Sequence, residues 1–213
     1  MKLNKVQQLY SDLIRRHGNP VILWPQWCAK KKERSLREII AIGAILAQRT
    51  SWHNADLAMR NLKKAGLLSM KKLASLENYN ELMELIKPAG FCQTKPRRLF
   101  TLSSFIINEY SGVDGLMEEK LAVLRKKLLG LYGIGPETAD TILLYALDKP
   151  SFIIDTYTKR LVERERLSDI FEYDYLKQFF ETSLPKDSTI FQNFHALIII
   201  EQKGRKRSLM EIA

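Results

Sequence analysis

The chain has 213 residues, with 34 Lys and Arg against 24 Asp and Glu, and therefore a formal net charge of +10 at pH 7. This length suits one large or two small domains, and the excess of positive charge is compatible with polyanionic partners. No apolar run reaches membrane-spanning length and no signal-peptide pattern opens the chain, so we expect a soluble, cytoplasmic protein without a membrane partner.

Helical patterns follow one another along the chain without a convincing run of alternating strand residues, which predicts an all-α fold. Leu36 to Gln48 is apolar on most faces and predicts a buried central helix. Thr50 and Ser51 can cap a following helix through Leu62. The remaining predicted helices cover residues 77–86, 95–110, 117–131, 136–147, 156–163 and about 189–202.

A glycine hairpin (residues 130–136) lies between two of these helices and is the most informative stretch of the chain. Glycine at 133 and 135 permits left-handed backbone angles and close approach of the backbone to a partner, and Pro136 suits the first turn of a new helix. Free amides at such a helix N-terminus attract phosphate. For the glycines alone, an ordinary turn between helices is the alternative.

A single carboxylate, Asp155, follows the apolar stretch Phe152-Ile153-Ile154. A buried carboxylate can stabilise positive charge on a sugar or polarise an attacking water. Asp is also among the best N-cap residues, and Asp155 directly precedes the helix predicted from Thr156. The same side chain can serve both purposes.

The hairpin and Asp155 together resemble the helix-hairpin-helix DNA glycosylase superfamily that includes endonuclease III, in which an Asp follows the second helix. The resemblance extends from about Trp24 to Gln202 and favours Asp155 as the catalytic residue. It implies two helical lobes. A six-helix barrel at residues 27–149 would carry the helix-hairpin-helix at about 120–147, and both chain ends, residues 1–26 plus 150–213, would form the second lobe.

The resemblance also implies contacts with DNA. The segment Ile45–Trp52 looks like the family's stretch in which a Gln reaches into the duplex beside the extruded base, which assigns that role to Gln48, with an ordinary helix-end amide as the alternative. Segments 86–91 and 95–99 look like the loop and helix start that brace the DNA cleft. The expected DNA-binding residues are Gly133, Gly135, Thr138, Gln48 and Lys95.

Glu137 departs from those relatives that also nick DNA, because they carry a Lys there that forms a Schiff base with the sugar. A carboxylate cannot form that imine, so we predict a monofunctional enzyme that uses water. Complementing the helix dipole is the structural alternative for Glu137. The lysines that could replace the missing amine are Lys126, Lys127, Lys149 and Lys159.

The cysteine content bears on cofactors, since many relatives hold an iron–sulfur cluster with four cysteine thiolates near the C-terminus. Only Cys28 and Cys92 are present, and basic residues such as Arg205 occupy the tail where the first cluster cysteine would stand. We therefore predict no metal and no cofactor, and we expect both thiols to pack within the fold.

The substrate is suggested by Glu137-Thr138-Ala139-Asp140 and by Trp24-Pro25 with Trp27, which look most like the bacterial 3-methyladenine DNA glycosylase branch. Methylation at N3 makes the nucleoside cationic, and aromatic rings attract a cation by about 0.5–2 kcal/mol. For each Trp, burial in the core is the alternative. For His195 on its apolar helix we expect a hydrogen-bonded core position. The expected substrate-binding residues are Trp24, Pro25, Trp27, Gln48, Trp52 and Lys203.

These patterns predict a base-excision glycosylase that hydrolyses the N-glycosidic bond of a flipped 3-methyladenine or other alkylated purine in double-stranded DNA, without lyase activity. The alternatives are a uracil or mismatched-thymine glycosylase, a bifunctional glycosylase and AP lyase, and a non-catalytic DNA-binding helix-hairpin-helix protein. From the resemblance we also expect a monomer that is nucleoid-associated in a prokaryotic cytoplasm.

Overall fold

The computed structural model describes residues 3–28 and 31–203, and every regular element within these ranges is helical. The predicted all-α fold is confirmed. None of the helices in the described ranges is both long and apolar enough to cross a membrane.

The helices follow the chain order below and differ widely in length. They are α1 (Lys5–His17), α2 (Pro20–Leu23), α3 (Pro25–Cys28), α4 (Arg34–Leu46), α5 (Trp52–Lys64), α6 (Met70–Ala74), α7 (Leu82–Leu85), α8 (Lys95–Tyr110), α9 (Val113–Glu118), α10 (Leu121–Leu129), α11 (Pro136–Thr141), α12 (Thr156–Arg164), α13 (Tyr173–Ser183) and α14 (Ser188–Lys203). Two short 3₁₀ turns, Tyr79–Glu81 and Lys87–Ala89, flank α7, and a π-helical turn, Ile142–Ala146, follows α11.

Helices α4, α5, α8, α12 and α14 agree with the predicted ranges to within two residues at each end. The predicted helix at 117–131 is instead two helices, because Glu119 and Lys120 between α9 and α10 have extended backbones. The predicted range 77–86 contains a 3₁₀ turn and the short α7, and the range 136–147 widens into the π-helical turn. Helices α1, α2, α3, α6 and α13 add to those predicted.

The chain divides into two compact units. The central unit spans Lys32–Ile142, and the terminal unit combines the described residues of Met1–Lys31 and Leu143–Leu209. In the central unit, α4 supplies core residues with no exposed surface, and apolar side chains of α5 and α8 are buried as well. Burial of the α4 helix confirms that prediction. The α4 core residues are Ile40, Ile42, Ile45 and Leu46.

The core of the terminal unit contains α14 and the segment that precedes α12. Phe152 stacks on Phe180 with ring centroids 4.6 Å apart and meets Phe191 and Phe194 edge-on. Burial of Phe152, Ile153 and Ile154 fixes this irregular segment in the core. It therefore delivers the next residue, Asp155, at the start of α12.

Candidate functional site

The glycine hairpin of the central unit connects α10 to α11. Its backbone is exposed at Gly133 and Gly135, while Ile134 between them is buried. Gly133 has a φ of +75°, as predicted for a left-handed position. The same prediction is wrong for Gly135, which has a φ of −91° because the residue that precedes α11 adopts the extended backbone of an N-cap. The hairpin thus presents glycine backbone to solvent at positions 133 and 135, next to the exposed side chain of Tyr132.

Arg98, in the first turns of α8, lies directly across Gly133. A Cβ atom added at Gly133 would stand 2.7 Å from the Cγ and Cδ atoms of Arg98. Position 133 therefore requires glycine for two independent reasons, the left-handed backbone and the side chain packed against it. The neighbouring Arg97 places its guanidinium 4.0 Å from the ring centroid of Tyr132, so both arginines hold the hairpin.

Gln48, just after α4, braces the same hairpin through its side-chain amide. The Nε2 group donates to the carbonyl oxygen of Gly133 at 3.0 Å and to Oγ1 of Thr138 at 2.9 Å. Its Oε1 atom accepts a hydrogen bond from Nη1 of Arg98. A role for Gln48 inside the duplex stays a prediction, and it requires these hydrogen bonds to be exchanged for contacts with DNA.

A bidentate ion pair joins the helices on either side of the hairpin. Arg125 of α10 places Nε 2.9 Å and Nη2 3.1 Å from the two carboxylate oxygens of Asp140 in α11. Asp140 has no exposed surface, and the two parallel bonds fix the direction of both helices. From the sequence, Arg98 is expected only as part of the segment 95–99 that braces the DNA cleft, and Arg125 has no predicted role, because no local pattern reveals which arginine a folded turn will meet.

The structure does not agree with the predicted contact between Lys95 and DNA. Its side chain has no exposed surface, and its ammonium donates to the carbonyl oxygens of Leu46 at 2.8 Å and Ala89 at 2.7 Å. The Leu46 carbonyl ends α4, where the helix dipole favours a cation. An ammonium bound in this way does not reach a phosphate. Burial, followed by the nearby Arg98, lowers the pKa of Lys95 to about 8.

The lowered pKa of Lys95 predicts how this residue affects stability as pH rises. Up to a pH of about 8, Lys95 is charged in both the folded and the unfolded chain. Between about 8 and the ordinary value of 10.5, only the unfolded chain retains the proton, so the contribution of Lys95 to folding stability increases with pH. In urea unfolding, the difference in free energy between the unmodified chain and Lys95→Met should grow in favour of the unmodified chain from about pH 7 to about pH 10.

An exposed lysine gives the matched control for that measurement. Lys64 lies at the exposed end of α5, so Lys64→Met should show no comparable change over the same pH range. A free-energy difference for Lys95→Met that is constant with pH, or that falls, would contradict the lowered pKa.

Asp155 of the terminal unit is the N-cap of α12. Its Oδ1 accepts a hydrogen bond of 2.7 Å from the backbone N–H of Thr158, which confirms the capping role considered for it. The side chain is 13% exposed, so the carboxylate is largely removed from water but still accessible. The cap leaves Oδ2 available for a second partner. The catalytic role of Asp155 stays a prediction.

That second partner is His195 of α14, whose Nε2 lies 3.4 Å from Oδ2 of Asp155. On the other side of the imidazole ring, Nδ1 lies 2.9 Å from the hydroxyl of Tyr145. Burial raises the pKa of Asp155, but His195 and the hydrogen bonds from Thr158 together outweigh it, so the pKa lies below its ordinary value. Asp155 is therefore an anion at neutral pH.

The tryptophans occupy different environments. Trp24 and Trp27 are buried in the terminal unit, as in the alternative of a core position, and Trp27 meets the ring of Tyr145 edge-on at 5.2 Å. Trp52 is partly exposed in the central unit and packs over Gly43, where an added Cβ would lie 3.4 Å from the indole ring. Pro25 is exposed at the start of α3.

The structure also locates the lysines that were considered for binding or for Schiff-base chemistry. Lys203 is exposed, with its ammonium 5.0 Å from the ring centroid of Tyr157. Lys127 donates to the Tyr110 hydroxyl at 2.8 Å, and this hydrogen bond raises the pKa of its ammonium, which is the opposite of what a nucleophilic amine needs. Lys126 is exposed, and Lys149 and Lys159 are partly exposed.

The two cysteines and the basic tail were the residues considered for a metal cluster. Cys28 is buried and Cys92 is partly buried. Within residues 3–28 and 31–203, no three or more His, Cys, Asp or Glu residues are grouped so that they could hold a metal ion. The basic residues of the tail, including Arg205, lie outside the described residues.

This chain matches a family model for base excision DNA repair and resembles individual proteins along most of its length. Residues 42–186 match the family model described as "HhH-GPD superfamily base excision DNA repair protein". A Methanocaldococcus jannaschii protein assigned as a DNA repair glycosylase is 38% identical over 99% of this chain and 95% of its own length. Endonuclease III of Sulfolobus acidocaldarius is 27% identical over 78% of this chain and 71% of its own length.

A similar solved structure is that of the H. pylori 3-methyladenine DNA glycosylase bound to 1,N6-ethenoadenine. It superimposes with a TM-score of 0.77 over 92% of this chain and 96% of that chain, at 25% sequence identity.

Proposed function

We propose a specific reaction for this chain, which belongs to the HhH-GPD superfamily of base excision DNA repair proteins. It is a DNA glycosylase that hydrolyses the bond between deoxyribose C1′ and an alkylated purine, with 3-methyladenine as the preferred base. The C1′–N bond breaks, its electron pair leaves with the base, and a water oxygen becomes bonded to C1′. The product is an abasic site in an otherwise intact strand.

The observation that carries this proposal is the environment of Asp155. Bond breaking develops positive charge on the sugar, and a fixed anion that is mostly shielded from water stabilises that charge more than a solvated one. The lowered pKa of Asp155 supplies the anion, and its two partners, Thr158 and His195, fix its orientation. The carboxylate can also accept a proton from the attacking water as the new bond forms.

The hairpin supplies a phosphate-binding surface that is independent of DNA sequence. Its exposed backbone at Gly133 and Gly135 allows close approach of a phosphate, and no described side chain caps the start of α11. Gln48 and Arg98 fix the hairpin from behind, so little conformational entropy is lost when DNA binds. Glycosylases need such an anchor, because rotating a base out of the duplex costs a few kcal/mol.

The absence of lyase activity follows from Glu137. This exposed residue in the first turn of α11 stands where lyase-active relatives carry their nucleophilic Lys, and a carboxylate forms no Schiff base. Lys127 does not replace that amine, because its raised pKa keeps it protonated. With no imine-forming side chain at position 137, water is the nucleophile of the proposed reaction.

The choice of an alkylated purine is supported by the similarity to the H. pylori 3-methyladenine glycosylase. A purine methylated at N3 leaves as a neutral base, so its departure needs little protonation by the enzyme. A site with one anionic carboxylate suits that chemistry, since it stabilises the sugar cation without supplying a proton to the base. The partly exposed Trp52 offers an aromatic surface for a cationic base.

The proposal predicts the products released from damaged DNA. Incubation with methylated duplex should release 3-methyladenine, identified by mass spectrometry of the freed bases, and a parallel uracil-containing duplex should yield no uracil. Sodium borohydride added during turnover should trap no covalent protein–DNA adduct, because no imine forms.

The matched controls are undamaged duplex and a related bifunctional endonuclease III, which should give the trapped adduct under the same conditions. Release of uracil without methylpurine would reverse the choice of substrate. A borohydride adduct with this protein would show that an amine attacks the sugar and that the inference from Glu137 is wrong.

A further inference from the structure

The terminal unit contains a buried chain of polar groups that runs through three elements toward Asp155. Tyr145, in the π-helical turn, places its hydroxyl 2.9 Å from Nδ1 of His195 and 3.2 Å from the carbonyl oxygen of Gln192. His195 then places Nε2 3.4 Å from Oδ2 of Asp155. Tyr145 and His195 are 2% and 5% exposed, so water does not replace these contacts.

The position of the protons in this chain follows from its geometry. If the Tyr145 hydroxyl donates to Nδ1, the neutral imidazole carries its hydrogen on Nε2, facing the carboxylate. If the hydroxyl donates to Gln192 instead, Nδ1 must carry a hydrogen, and a bare Nε2 would then face an anion, which is repulsive. That second arrangement also needs a hydrogen on Nε2 to remove the repulsion. Nε2 of His195 therefore holds a proton toward Asp155 in both arrangements.

Several contacts hold the Tyr145 hydroxyl in this position. The edge of Trp27 packs against the Tyr145 ring, with centroids 5.2 Å apart. Gln192 donates through Nε2 to the carbonyl of Leu144 at 2.7 Å and to Oδ1 of Asp148 at 2.8 Å, which fixes the helix turn that offers the Gln192 carbonyl. Widened π-helical turns occur frequently at functional sites.

We infer, on the basis of the proposed glycosylase function, that His195 is a positioning residue that orients the Asp155 carboxylate through Nε2–H and that Tyr145 fixes the imidazole for this purpose. Thr158 holds Oδ1 by a hydrogen bond, and Nε2 of His195 lies 3.4 Å from Oδ2, at ion-pair distance without an aligned hydrogen bond, so each oxygen has one partner that orients the carboxylate. Each oxygen retains a lone pair for the sugar or the water. A core histidine with only a packing role would not need this order of donors.

Among the described residues, Cys28, Asp155 and His195 are the titratable groups whose charges act on the Tyr145 hydroxyl or the Asp155 carboxylate. Tyr145 has a pKa well above its ordinary value, because of burial first and then the charges of Cys28 and Asp155. The hydroxyl therefore stays protonated at all pH values of interest and remains a donor. Oδ1 of Asp148 accepts a hydrogen bond from Nε2 of Gln192, and the backbone carbonyl of Gln192 in turn accepts one from the Tyr145 hydroxyl.

Nuclear magnetic resonance tests this inference on the free protein, without any reaction. The chain has three histidines, His17, His53 and His195, so a two-bond ¹H–¹⁵N spectrum resolves each ring, and single His→Gln variants assign the signals. The His195 signals should show a protonated Nε2 at neutral pH. An unprotonated Nε2 with hydrogen on Nδ1 would overturn the inference whether or not the protein releases any base.

Kinetics then separates positioning from packing. In His195→Leu, the single-turnover rate of base release should fall by about 10- to 100-fold, whereas the Kd for duplex containing an abasic analogue should change less than about twofold. His195→Gln keeps an N–H donor near the Nε2 position and should recover most of the rate. Tyr145→Phe, which preserves the ring, should give an intermediate loss.

The pH profile supplies a readout that a purely structural role would not move. Without His195, burial still raises the pKa of Asp155 while the main lowering influence is lost, so the acid limb of the rate profile should move to higher pH in His195→Leu. An unchanged limb, or a glutamine variant no better than the leucine variant, would overturn the inference. Failure of the unmodified protein to release base would instead contradict the proposed function and leave the spectroscopic test decisive.

Discussion

Asp155→Asn should slow the release of an alkylated purine by about 100- to 1,000-fold in single-turnover experiments. Asparagine has nearly the same shape and caps helices as well as aspartate does, so α12 and its core should be retained. What is lost is the negative charge that stabilises the sugar cation and accepts the proton of water. The affinity for duplex DNA should be unchanged or slightly higher, because one repulsive charge has been removed.

Asp187→Asn is the matched control, since Asp187 also caps a helix of the terminal unit. Its Oδ1 accepts a hydrogen bond of 2.9 Å from the backbone N–H of Ile190 near the start of α14. This variant removes the same charge from the same kind of cap and should release base at the unmodified rate. Base release by Asp155→Asn at the unmodified rate would show that Asp155 is only a cap and would remove the main support for an enzyme.

Gly133→Ala should weaken binding to duplex DNA by about tenfold or more and destabilise the fold by about 2–3 kcal/mol. The alanine would have to adopt a left-handed backbone angle, which costs energy for any residue with a side chain. Its Cβ would also collide with Arg98, whose guanidinium donates to Gln48. The hairpin or the Arg98 side chain that braces it must therefore move, which disturbs the amides proposed to bind a phosphate. Urea unfolding and fluorescence anisotropy with a labelled duplex measure the two effects.

Two other glycines separate the causes of that loss. Gly66 has a φ of +70°, yet an added Cβ there meets nothing within 4 Å, so Gly66→Ala should cost about 1 kcal/mol of stability and leave DNA binding intact. Gly135 has an extended backbone with open space around it, so Gly135→Ala should leave the fold stable. If a phosphate approaches this backbone closely, the Gly135 variant should still lose DNA affinity.

The outcome of this comparison decides the role of the hairpin. If Gly133→Ala loses stability but binds DNA as tightly as Gly66→Ala does, the hairpin is a structural turn without a part in phosphate binding. If the two variants lose equal stability, the packing of Arg98 across position 133 is not what excludes a side chain there.

The helical ranges predicted best are those whose burial follows a long periodic pattern. The apolar helix α4 and the long helices α8 and α14 were found within two residues of their predicted ends, because period and caps are local properties. Prediction was poorer where a local pattern continues across a break. The extended backbone at Glu119 and Lys120 divides α9 from α10, although side-chain periodicity suggests one helix.

The sequence indicated some residues of the candidate site but not the side chains that contact them. Asp155 and Gly133 stand out in the sequence, because a capping carboxylate after an apolar run and a glycine in a tight turn have local signatures. Their partners do not. His195 lies 40 residues beyond Asp155, and nothing near it in the sequence indicates which oxygen it faces. Lys95 shows the converse error, since a lysine beside a basic helix start suggested DNA contact but is buried against two carbonyls.

The sequence by itself determined the helical class, the hairpin, the position of the carboxylate and the superfamily, since each depends on short-range spacing or on residue types that backbone geometry demands. The tertiary structure alone decided which side chains brace these features: Arg98 and Gln48 at the hairpin, and Thr158, His195 and Tyr145 around Asp155. The physical reason is that hydrogen bonds and desolvation depend on distances between residues far apart in the chain, and packing fixes those distances.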